Sequence, residues 1–172
     1  MSDALKTTEI LDALIDKSSG LIWATEPQLG PKLRRIDFWT LHPQEGKGHV
    51  ATSYEVKVSR SDFKRDSAMK QREARLYSDR FFYVAPKDMV KPEEIPDWAG
   101  LMEWNGERFT HKVHAPNLSK STPSWDFVSS LLRTCGQVRR DLNTVLETER
   151  IERYQLKREN EKLKRQLEQL GK

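Results

Sequence analysis

In the stretch SYEVKVSRSDF, residues 53–63, an acid and a lysine stand two places apart, Glu55 and Lys57. Tyr54, Val56 and Val58 alternate with them as in a half-buried strand, and a side-chain period of two sends Glu55 and Lys57 to one face. Alone, such a triplet is a solvated ion pair of little energetic weight. A third polar residue changes its meaning. Asp37 lies in RRIDFWTLH, residues 34–42, a strand that the glycine-containing loop PQEGKGH folds back against the strand of Glu55. Carboxylates converging from two adjacent strands repel one another unless a cation joins them. Oxygen-only ligands favour Mg2+ or Mn2+, which keep waters for a substrate phosphate. A lysine beside that cation positions its water and stabilises the charge that develops on phosphate. Metal-activated water acting on a phosphodiester gives hydrolysis.

The composition suits a polyanionic partner. The chain has 172 residues, 33% of them charged and 36% hydrophobic, with a net charge of +4. From Lys32 to Arg72 there are ten Lys and Arg against five Asp and Glu, so the local excess is larger than that of the whole chain. The single cysteine, Cys135, excludes an intramolecular disulfide framework and a cysteine-based zinc site, and its place on an apolar stripe marks it as core. His111 and His114 alternate on a strand edge without a third ligand nearby, a poor metal set. The N-terminus has no basic-then-apolar leader, and no run approaches the ~18 apolar residues of a membrane span. The expected setting is the cytoplasm, with no membrane contact.

The elements that must position Asp37, Glu55 and Lys57 follow from periodicity. TTEILDALIDK, residues 7–17, spaces Ile10, Leu11, Leu14 and Ile15 as a helix. Short strands are expected at 21–25, 34–42 and 50–58. A helix runs over roughly 59–77, opened by Ser59 or Ser61. RFFYVA, residues 80–85, is a continuous apolar run, the mark of a central strand buried on both faces. A hairpin turns at Asn105-Gly106, and a helix over 125–138 carries Phe127, Val128, Leu131, Leu132 and Cys135. This is a mixed α/β domain, residues 1–138, with 139–172 as a tail.

The segments RRID, YEVKVSRSDF and SDRFFYVAP together resemble the PD-(D/E)XK nuclease superfamily, and most closely its small phage and bacterial proteins related to the MmcB-like DNA repair proteins. The resemblance covers roughly residues 7–118. It implies a core of order αβββαβ, a mixed central sheet flanked by helices, and a Mg2+- or Mn2+-dependent deoxyribonuclease. Asp37 takes the place of the motif's aspartate, Glu55 that of its second acid and Lys57 that of its lysine, with Ile36 where the motif has proline. Many members add an upstream glutamate. Here Glu26, in WATEPQL, and Glu9 on the first helix compete for that place, and Glu26 is preferred. Gln71 and Tyr77 are six apart where some relatives have four, and carry little weight. Arg34 and Arg35 present guanidinium forks suited to phosphate, while Arg60, Lys64 and Lys70 line the following helix toward a DNA backbone. The alternatives are a catalytically silent DNA-binding module of the same fold and a coiled-coil scaffold; clustered acids facing a polyanion favour the enzyme.

From Arg139 onward the chain has no Gly or Pro until Gly171. Leu156, Leu163 and Leu170 fall at one heptad position, Asn160 and Leu167 at the other, which predicts a short parallel two-stranded coiled coil and a homodimer.

Overall fold

The computed structural model describes residues 7–29, 34–135, 150–151, 153–161 and 163. The chain divides into two units, Met1–Gln137 and Val138–Lys172. In the first, helix α1 (Thr7–Lys17) precedes strands β1 (Ile22–Thr25), β2 (Phe38–Leu41) and β3 (Ala51–Val56). Two short helices follow, α2 (Arg60–Lys64) and α3 (Arg72–Leu76). Then come β4 (Arg80–Pro86), β5 (Gly100–Trp104), β6 (Phe109–Val113) and α4 (Trp125–Thr134). The six strands form one sheet in sequence order. β1, β2 and β3 make an antiparallel meander; β4 joins β3, and β5 joins β4, in parallel; β6 closes on β5 as a hairpin. A parallel step needs a crossover, and α2 and α3 supply the one between β3 and β4.

The core lies in two layers. Phe38, Val56, Phe82, Val84 and Met102 pack against Ile10 and Leu14 of α1. On the opposite face Trp39, Ala51, Phe81, Tyr83 and Leu101 meet Ala74 of α3 and Phe127 of α4, with Phe63 of α2 beside them. Phe127 stacks on Tyr77 at 4.7 Å and meets the edge of Trp39 at 5.4 Å, a burial whose loss to alanine costs about 3–5 kcal/mol. β4 is buried from Phe81 to Ala85, as the apolar run requires. Asn105 closes the β5–β6 turn, its side-chain oxygen accepting from the N–H groups of Glu107 and Arg108 while Gly106 adopts φ 96°. Cys135 is buried and bridges Ala24.

Gly100 opens β5 where nothing larger fits. A Cβ there meets the Phe82 ring at 2.4 Å and the backbone nitrogen of Ala115 at 2.7 Å. Gly100→Ala is therefore expected to destabilise the fold by about 1–3 kcal/mol, read as a lower midpoint in urea; an unchanged midpoint would show that the sheet yields there.

Two expectations need correction. The helix foreseen over 59–77 is broken: Ser59 caps α2 as expected, accepting from the N–H of Asp62, but residues 65–71 leave the helix. Asp66 accepts from the N–H of Ser67, and the Ser67 hydroxyl from that of Lys70. Such short polar side chains compete with the helix's own hydrogen bonds. On α4, Leu132 is exposed while Phe127 carries the burial.

In the second unit the described residues, 150–151, 153–161 and 163, are helical and exposed, among them Leu156, Asn160 and Leu163. Leu167 and Leu170 of the foreseen coiled coil lie outside the described residues. Among the described residues no helix is long and apolar enough to cross a membrane.

Candidate active site

The register of three strands builds a row of acids. Thr25 pairs with Phe38, and Phe38 with Tyr54. One step further along this register Glu26 stands across from Asp37, and Asp37 across from Glu55; the N–H of Glu26 bonds the carbonyl of Asp37 at 3.0 Å. Glu55 in turn pairs with Tyr83 on β4. The row lies on the sheet face covered by α2 and α3. Tyr54 and Val56 point the other way into the α1 layer.

Asp37 sits just before β2, and its Oδ2 accepts the Val56 N–H at 2.7 Å, which ties it to the strand of Glu55. Just beyond β3, the N–H of Lys57 bonds Val84, and its Nζ donates to Glu55 Oε1 at 2.8 Å. The same ammonium lies 3.4 Å from Asp62 and 3.4 Å from Asp66. The break after α2 makes this possible. It carries Asp66 inward until its side chain is only 3% exposed, where Gln71 donates to it at 2.8 Å and its charge acts on the Tyr83 hydroxyl.

Four acids around one lysine leave the pocket negative. Burial raises the Asp37 pKa, and the charges of Glu26 and Asp62 add to it, against the Val56 N–H and Lys57. Burial also pushes Glu55 up to about 7, with the Asp37 charge behind it and Lys57 opposing. For Lys57 burial works downward, but Glu55, Asp66 and Asp62 outweigh it and hold the group above its ordinary value. Lys57 is thus a fixed ammonium at neutral pH, suited to stabilise anionic charge and unsuited to accept a proton.

The donor set fits a hard divalent cation. Two desolvated carboxylates, with the charge of Asp37 raising the pKa of Glu55, lose that penalty when a cation lies between them. Among the described residues no three His, Cys, Asp or Glu side chains are grouped to hold a metal ion, and Glu26 is bonded to Arg35 at 3.2 Å. Mg2+ needs only one or two carboxylates when water and phosphate complete its shell. Protons compete with that cation. The stabilisation that Mg2+ or Mn2+ gives against heating is expected to be larger near pH 8 than near pH 6, because Glu55 must first shed a proton below about 7. Without metal the sign reverses: a raised carboxylate pKa favours the protonated fold, so the contribution of Glu55 falls as pH rises from its ordinary value toward 7. Equal shifts in thermal midpoint at both pH values would remove Glu55 from the ligands.

The other foreseen residues divide. Arg34 donates to the carbonyl of Met69 at 2.7 Å, and exposed Arg35 to Glu26. Lys64 is exposed on α2. Arg60 is already taken: its fork closes on Glu94, Nη2 to Oε1 at 2.7 Å, and Nη1 also reaches the carbonyl of Met89. Glu9 stands on α1, the helix that packs on the opposite face of the sheet. The sequence does not single out Asp62, Asp66 or Tyr83, and the six-residue spacing of Gln71 and Tyr77 carries little weight. An Asp-Ser pair inside a nominal helix was the available signal for Asp66.

No protein-family model matches the chain, and no curated protein does. A solved structure, the SPO1766 protein of unknown function from Silicibacter pomeroyi, is similar to it, with 23% identity over 77% of this chain and 84% of that one and a TM-score of 0.52. At that identity the likeness shows a shared mixed α/β fold.

Proposed function

We propose that the chain is a Mg2+- or Mn2+-dependent deoxyribonuclease on a PD-(D/E)XK core. The observation that carries this is the placement of Asp37 across from Glu55, with Lys57 hydrogen-bonded to Glu55 on the same face. The order of α1, three antiparallel strands, a helical crossover and a parallel β4 supports the αβββαβ core.

In this reading Asp37 and Glu55 hold the cation. When bound, the cation supplies an acidified water and neutralises a phosphate oxygen. Lys57 aims its ammonium at the oxygen that gains charge, and Asp66, Asp62 and Gln71 keep Lys57 from swinging away. Arg34, Arg35 and Lys64 offer the DNA backbone positive charge around the acidic row, whereas Arg60 braces Glu94. The heptad read in the tail, with Leu156, Asn160 and Leu163 among its described positions, would join two copies as a parallel coiled coil.

The test is covalently closed circular DNA incubated with Mg2+ or Mn2+, with and without chelator. Metal-dependent nicking or linearisation is the expected result. Retarded but uncut DNA under every condition would favour a silent binding module instead. Sedimentation of the full chain against a truncation after Arg139 is expected to show a dimer and a monomer; a monomer in both would remove the coiled coil.

A further inference from the structure

We propose that Arg35 is a latch on a third metal ligand, Glu26, and that the phosphodiester backbone of the substrate opens it; this rests on the nuclease reading above. The register that pairs Thr25 with Phe38 continues to an isolated bridge between Gln28 and Arg35. Glu26 therefore stands directly across from Asp37 and one diagonal step from Arg35. Its side chain is bound to the guanidinium at 3.2 Å, while its charge still acts on Asp37.

Two features make this a switchable position. Glu26 holds φ 48°, in the left-handed region, a conformation that a non-glycine residue keeps only under constraint from its surroundings. Both side chains of the pair are largely exposed, 58% for Arg35 and 62% for Glu26, so water screens the bond and neither partner is locked. A phosphate offers the arginine fork the same paired oxygens as a carboxylate, at the same spacing. Once Arg35 bonds a backbone phosphate, Glu26 loses its counter-charge beside Asp37, whose carboxyl already responds to it. A cation between Asp37 and Glu55 then draws Glu26 in. Nucleic acid and metal bind cooperatively through one residue pair, and the free protein keeps an incomplete site.

The test is Mn2+ affinity of the full chain by calorimetry, without nucleic acid, in a double-mutant cycle. Arg35→Ala is expected to tighten Mn2+ up to about fivefold, because Glu26 is released from an exposed ion pair. Losing any nearby positive charge also favours a cation, so the same substitution is made in Glu26→Gln, where only that smaller, general gain should remain. A gain of equal size in both backgrounds, or none in either, overturns the latch. Asp37→Asn separates the two claims. If it loses Mn2+ while the cycle shows no coupling, the latch alone is wrong. If it binds Mn2+ like the unaltered chain, the metal pair is wrong and the latch with it.

Discussion

Asp37→Asn is expected to slow metal-dependent cleavage of DNA about a thousandfold or more, equivalent to roughly 4 kcal/mol of transition-state stabilisation. The side chain keeps its shape, and its oxygen still accepts from the Val56 N–H, so the strand pairing survives. What disappears is half of the charge that would hold the proposed cation. DNA affinity measured without metal should be unchanged or tighter, because a negative charge beside the phosphate track has gone. Cleavage rates and filter-binding curves on the same preparations check both parts. Cleavage at the unaltered rate would show that Asp37 serves only to pin Val56.

Lys57→Ala is expected to abolish cleavage and also to destabilise the fold by about 3–5 kcal/mol, the cost of removing one partner from a buried ion cluster. From the sequence alone Lys57 is a strand-face residue whose loss leaves folding nearly intact. The structure changes that expectation: its side chain is 9% exposed, Glu55 and Asp66 lean on it, and both would be left buried without a counter-charge. Unfolding in urea reads the loss directly. Adding Asp66→Asn to Lys57→Ala should restore part of it, since one of the stranded charges is then gone. If Lys57→Ala unfolds at the same urea concentration as the unaltered chain, the cluster is solvated and the triplet is a surface ion pair.

The strands were legible because burial writes a period into them. RFFYVA shows no alternation, and β4 is buried on both faces. Period two put Glu55 and Lys57 together, and the hairpin brought Asp37 opposite, so the centre of the site could be read from spacing. Its surroundings could not. Asp66 belongs to a segment that counts as helix by composition, and its inward turn depends on Lys57 and Gln71, neither of them within four residues. Arg60 looked like a free helix-face cation because its partner, Glu94, lies 34 residues on, in a proline-rich connector without periodicity. The pairing of Glu26 with Arg35 was hidden for the same reason: strand register decides it, and local sequence does not.

The most direct measurement is anomalous diffraction from crystals of the protein soaked in Mn2+. The expected result is one strong peak about 2.1 Å from a carboxylate oxygen of Asp37 and from one of Glu55, absent from crystals of Asp37→Asn. A peak elsewhere, or none beside that pair at saturating Mn2+, would contradict a metal-dependent site at the Asp37–Glu55 pair.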